Sequence, residues 1–137
     1  MIHLCSVRIP IGQVACLELP AGMMDDDTQS IKGIAVKEME EECGIVIQPG
    51  ELVDLTRMAF ASSHFNKEGS LPGIPLSQGG CDETMRIMYL EKFVTKPQID
   101  QMKNRMTGLR HEGEAITLRV VPYEQVWRVS RDAKAIM

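Results

Sequence analysis

Four glutamates stand within the eleven residues AVKEMEEECGI at 35–45, and this stretch restricts the fold most tightly. A helical pattern runs from about Gln29 to Cys43, with Ser30 or Thr28 suited to cap its start and Gly44 placed to end it. With Ile31 at zero on a helical wheel and about 100° per residue, Ile34 and Ala35 fall about 60° and 40° to either side. The apolar stripe is therefore centred near Ile31. Glu38 and Glu42 each land about 20° from that centre, Glu41 lies on its flank and Glu40 faces the opposite way. A solvated face accounts for Glu40. It does not account for Glu38 and Glu42, because ionised carboxylates aimed inward are costly unless paired or bound to a cation. Two readings stay open at this point: a hard-oxygen site for Mg²⁺ or Mn²⁺, or a fraying helix end.

The rest of the chain alternates strand and helix signals. IHLCSVRI at 2–9 and QVACLEL at 13–19 read as strands around a turn at Pro10–Gly12. After the glutamate helix, IVI at 45–47 predicts a strand, ELVDLTRMAFAS at 51–62 continues in strand character, and 63–82 reads as a long Gly/Pro/Ser-rich loop. TMRIMYLEKFV at 84–94 predicts a strand and PQIDQMKNRM at 97–106 a short helix. GLRHEGEA at 108–115 reads as a polar loop, ITLRVVP at 116–122 as a strand, and YEQVWRVSRDAKAIM as the start of a C-terminal helix. Interleaved elements of this kind predict an α/β or α+β sandwich, and 137 residues suit a single domain with a real core.

Composition narrows the function classes. A net charge of −4 argues against general binding to nucleic acid or to a membrane surface, and no apolar run approaches the roughly 18 residues of a membrane span. Cys5, Cys16, Cys43 and Cys81 are scattered without a CxxC pair. That spacing reads as free thiols in a reducing compartment, and the N-terminal residues lack a signal-peptide pattern. The expected location is cytoplasmic.

KEMEEECGI at 37–45, with Gly22 upstream, resembles the Nudix box, G-x5-E-x7-R-E-U-x-E-E-x-G-U, over residues 22–45. Glu38, Glu41, Glu42, Gly44 and Ile45 fall on matching positions and Met39 on the first aliphatic one. The left half departs: Gly22 is one residue too far from the core, Gln29 stands about where the first glutamate belongs, and Lys37 replaces the arginine. ELPAGMMDDD at 18–27, SQGGCDE at 77–83 and GLRHEGEAITLRVVPYEQVWR at 108–128 are similar to the plant-type ADP-sugar diphosphatase branch.

The resemblance implies a Nudix α/β/α sandwich with a mixed sheet, truncated at both ends, that hydrolyses a nucleoside diphosphate sugar with divalent metal. It implies metal ligation by Glu38, Glu41, Glu42, the Ala21 carbonyl and Glu114. Glu112 is implied as the base, with Glu41 as the competing assignment. Arg8 is a candidate phosphate contact, since a guanidinium fork suits phosphate oxygens; an exposed strand arginine is the alternative. Ser77, Gly79, Gly80 and Glu83 are candidates for the second half of the substrate, or a plain surface loop. His111 reads as a surface residue, and Tyr123 and Trp127 as core anchors of the last helix. The family arginine at position 37 orients a box glutamate, which lysine does less well as a point charge. Family proteins of this kind dimerise through N-terminal elements, so a weakened homodimer is expected, and a transit peptide upstream would make the location organellar. A UDP-sugar substrate and a non-catalytic nucleotide-sugar-binding protein are the alternative functions.

Overall fold

A computed structural model of the chain describes residues 2–24, 30–61 and 73–136. In chain order the strands are β1 (Ile2–Arg8), β2 (Gln13–Glu18), β3 (Val53–Asp54), β4 (Ile74–Pro75), β5 (Thr84–Met85), β6 (Met88–Tyr89), β7 (Met106–Thr107) and β8 (Ile116–Val120). The helices are α1 (Ile31–Cys43), α2 (Leu55–Phe60), α3 (Lys96–Met102), α4 (Val126–Val129) and α5 (Ala133–Ile136). The class is α/β. The contacts group into two compact units, 1–47 with 93–137, and 48–92. Among the described residues no helix is long and apolar enough to cross a membrane.

The first unit is built on a four-stranded sheet in the order β2-β1-β8-β7. The β1–β2 hairpin turns through Ile9–Ile11 and Gly12, whose φ of 65° is the left-handed conformation that glycine adopts without penalty. Leu4 pairs with Leu118 across β1 and β8, and both are almost fully buried. Cys43, from the last turn of α1, packs with Leu4, Ile116 and Leu118, and Met39 and Ile45 close over them. Burial pushes the Cys43 thiol up to about 12, so it behaves as a small neutral hydrophobe. The core therefore lies between one face of the sheet and the C-terminal half of the glutamate helix.

That helix starts where a cap permits. Ser30 is extended and its hydroxyl accepts the Gly33 N–H at 3.0 Å; Thr28, the other candidate cap, lies outside the described residues. Gly44 ends the helix at φ 62°, its N–H donating to the Glu40 carbonyl at 2.8 Å. The Ile45 N–H goes to the Met39 carbonyl at 3.0 Å. This donor is spent on the helix end, and the strand expected at 45–47 does not form. Every strand pairing among the described residues is antiparallel, so the parallel pairing of a mixed sheet is absent there.

In the second unit, 51–62 is not mainly strand. β3 lasts two residues, because the Asp54 carboxylate accepts the Arg57 N–H at 2.8 Å and starts α2. The strand expected over 84–94 is split into β5 and β6. Ile87 turns away from the ladder, donating to Thr56 Oγ1 at 2.8 Å and accepting the Leu55 N–H at 3.0 Å. Most of the long loop expected at 63–82 lies outside the described residues; its end forms the β4–β5 hairpin.

The C-terminal helix is also interrupted. Ser130 is extended, its hydroxyl donates to the Leu17 carbonyl at 2.7 Å and accepts the Asp132 N–H at 3.2 Å, and α4 and α5 lie on either side of it. Tyr123 and Trp127 are exposed and do not anchor the core; Val126 is the buried residue there. The fold rests on the Leu4–Leu118–Cys43 cluster. Leu118→Ala is expected to cost about 2–5 kcal/mol in urea denaturation, against less than about 0.5 kcal/mol for Val14→Ala on the exposed hairpin.

Candidate functional site

The helical wheel is reproduced in three dimensions. Glu42 is buried at 9% exposure, Glu38 and Glu41 are half-buried and Glu40 is exposed. Glu42 is forced inward because its neighbour Cys43 is packed into the sheet, which fixes the rotation of the last turn. Its carboxylate accepts the Ala21 N–H at 3.1 Å. The Glu38 side chain lies on the α-carbon of Gly22, where an added Cβ would come within 2.6 Å of Glu38 Cδ. The Ala21–Gly22 segment is thus held against two of the inward glutamates, and glycine is required for the close approach.

Charge converges on the same spot. Burial drives the Glu42 carboxyl up from 4.5 to about 7; the Ala21 N–H opposes the rise, the Glu38 and Glu114 charges add to it, and Arg8 opposes it. Glu114 reaches this cluster from the other end of the chain. Its carboxylate accepts the Leu109 N–H at 3.2 Å, and its own N–H returns to the Leu109 carbonyl at 3.2 Å. The backbone of Glu112 lies in the single 3-10 turn Arg110–Glu112, while its side chain lies outside the described residues. His111 is exposed.

Glu41 projects beside Lys37, whose Nζ is 3.6 Å from Glu41 Oε2. The lysine is exposed and the glutamate half-buried, with the lysine N-terminal to the glutamate, the weaker order for an i,i+4 pair. Arg8 forks onto Glu18, with Nε–Oε1 at 2.7 Å and Nη2–Oε2 at 2.6 Å. The bond to Arg8 holds the Glu18 carboxyl below its usual range and raises Arg8 in turn. Ser77, Gly79, Gly80 and Glu83 belong to the second unit and form the β4–β5 loop. There the Gly80 and Cys81 N–H groups both donate to the Ser77 carbonyl at 3.0 Å, and Leu76 N–H donates to the Glu83 carbonyl at 3.1 Å.

Three residues at the site were not singled out from sequence. Glu18 follows Cys16 on one strand face, so β-alternation carried a signal for it. Arg105 lies over the helix end, where a Cβ on Gly44 would fall 2.6 Å from its Nη2. The Thr107 hydroxyl donates to the Glu42 carbonyl. No local pattern announces these last two, since each contact joins residues far apart in the chain.

The donor chemistry suits a hard divalent cation. Glu42 is buried with an elevated proton affinity, and two further carboxylates push its charge the same way, which is the imbalance an oxygen-ligated cation relieves. Among the described residues no three His, Cys, Asp or Glu side chains stand close enough together to hold an ion, so the carboxylates converge in charge without forming a closed cage.

The raised Glu42 has a consequence for metal-free protein. Stability associated with its protonated form is complete below about pH 4.5 and is lost as pH rises through about 7. Glu42→Gln keeps an acceptor for Ala21 and removes the charge. It should stabilise metal-free protein at pH 8 by on the order of 2 kcal/mol, with little effect at pH 4.5, in paired thermal melts. A destabilised variant at pH 8 contradicts the assignment.

No family model matches the chain. It is 43% identical over 131 residues to Nudix hydrolase 14, chloroplastic, of Arabidopsis thaliana. The match covers 96% of this chain and 40% of that protein, so the chain spans well under half the length of its relative. The similarity therefore extends through the glycine-loop-helix segment and the carboxylate loop that the fold brings into electrostatic contact, and over nearly its whole length the chain is similar to a Nudix hydrolase.

Proposed function

We propose that the chain catalyses metal-dependent hydrolysis of the pyrophosphate bond in a nucleoside diphosphate sugar, with an ADP-sugar such as ADP-glucose or ADP-ribose yielding AMP and a sugar phosphate. The observation that carries this reading is the buried Glu42 carboxylate, held at Ala21 and coupled to Glu38 and Glu114. The similarity to a Nudix hydrolase supports hydrolysis at a pyrophosphate. The ADP-sugar class is supported by the likeness of ELPAGMMDDD, SQGGCDE and GLRHEGE to that branch. The relative's name places that protein in the chloroplast, which supports an organellar location in place of the cytoplasmic one.

Glu38, Glu42, Glu114 and the Ala21 carbonyl would hold the cation, with Glu41 at the helix flank. Mg²⁺ or Mn²⁺, when bound, supplies charge neutralisation at the phosphate oxygens and Lewis acidity. Pyrophosphate cleavage is largely a matter of positioning and charge stabilisation. The chain's own contribution is accordingly to fix carboxylates on a rigid helix turn and to place a base beside the attacking water. Glu112 takes that proton, with Glu41 as the competing base, and Arg8 exchanges Glu18 for a substrate phosphate oxygen.

The test is Mg²⁺-dependent AMP release from ADP-glucose, run beside ADP-ribose and a UDP-sugar. Turnover is expected to require Mg²⁺, to favour an ADP-sugar, to disappear in Glu42→Gln, and to fall about a hundredfold in Glu112→Gln. A UDP-sugar preference replaces the substrate assignment. Saturable Mg²⁺-dependent binding without turnover replaces the enzyme by a nucleotide-sugar-binding protein.

A further inference from the structure

The last four carbonyls of a helix have no partner within it, and in α1 three of them belong to glutamates. Glu40 passes its carbonyl to the Gly44 cap. The next two are taken by a remote segment: the Gly108 N–H donates to the Glu41 carbonyl at 3.3 Å, and the Thr107 hydroxyl donates to the Glu42 carbonyl. Both donors are fixed in turn, because β7 pairs Met106 and Thr107 with Thr117 and Ile116 of β8. Gly108, at φ 87°, then turns the chain directly into the 109–114 loop. A Cβ at Gly108 would lie 3.2 Å from both the Cβ and the carbonyl oxygen of Glu114. One covalent step separates the groove that receives the helix end from the loop that carries Glu112 and Glu114.

We propose that Thr107 is a positioning residue: its hydroxyl clasps the last turn of α1 to the 109–114 loop, so that the two carboxylate-bearing elements keep one relative register. The hydroxyl is the suited group. The Gly108 N–H already serves the Glu41 carbonyl, and the Thr107 hydroxyl is the donor that reaches the Glu42 carbonyl. A buried carbonyl left without this donor loses a hydrogen bond. The inference rests on the proposed hydrolase reading only for its kinetic arm.

Thr107→Val keeps the branched shape and removes the donor, while Thr107→Ser keeps the donor. In metal-free protein, amide hydrogen exchange at Gly108, Leu109 and Glu114 should quicken at least about fivefold in Thr107→Val. Leu4 and Leu118 should keep their protection, and Thr107→Ser should restore the wild-type pattern. In the hydrolysis assay kcat should fall about tenfold in Thr107→Val with KM within about twofold, again restored by serine. Unchanged exchange at Gly108 and Glu114 overturns the clasp, as does equal loss at Leu4 and Leu118, or a serine variant that behaves like valine. Loosened exchange with an unaltered kcat overturns the positioning role. If the wild-type protein hydrolyses none of the substrates, the hydrolase reading fails and the exchange measurement still decides the clasp.

Discussion

Everything about the first unit turns on a carboxylate that is placed where carboxylates are least welcome. Glu42 is buried, stands at the C-terminal end of its helix, and shares its surroundings with Glu38 and Glu114. Each circumstance opposes ionisation: burial removes water, like charges repel, and the helix macrodipole presents its negative end there. The residue cannot turn away, because Cys43 beside it is locked into the Leu4–Ile116–Leu118 cluster. An amide at Ala21 and an arginine at position 8 offset only part of the burden. A fold selected for stability alone would put an apolar residue in this place. A bound divalent cation would offset that cost.

The surrounding structure consists largely of devices that keep that turn in place. Ser30 starts the helix and Gly44 stops it, so its length and phase are set at both ends. The Arg105 guanidinium lies over Gly44, adding positive charge at the negative end of the dipole. Thr107 and Gly108 take up carbonyls of Glu42 and Glu41. On the opposite flank the β1–β2 hairpin carries Arg8 and Glu18, and Ser130 ties the C-terminal segment to Leu17. The ion pair with Glu18 holds the Arg8 guanidinium, and its charge reaches Glu42.

How much of this was legible beforehand depended on how local the controlling interaction is. The glutamate helix, its Ser30 cap, the Gly44 stop and the inward direction of Glu38 and Glu42 all follow from spacing within one element. The β1–β2 hairpin was equally visible through Pro10 and Gly12. The misreadings at 45–47, 51–62, 84–94 and the C-terminus have one cause. In each, a hydrogen bond redirects the backbone: the helix cap takes the Ile45 donor, Asp54 caps α2, Thr56 draws off Ile87, and Ser130 reaches Leu17. The caps at Ile45 and Asp54 are local, whereas propensity patterns do not carry the Thr56–Ile87 and Ser130–Leu17 pairings, whose partners lie dozens of residues apart. The same holds for Thr107 and Arg105, whose contacts with the helix end exist only once β7 is laid beside it. Trp127 misled differently, since a large aromatic suggested a core anchor and the shorter Val126 fills that place.

The central proposal is that Glu38, Glu42 and Glu114, coupled in charge beside the Ala21 backbone, would together bind one divalent cation. Mn²⁺ titration followed by paramagnetic broadening of assigned amide signals tests it without reference to any substrate. The account predicts saturable broadening centred on residues 20–22, 38–43 and 109–114, abolished in Glu42→Gln. Broadening centred instead on the acidic run Asp25–Asp27, or diffuse broadening that does not saturate and survives the substitution, would contradict it.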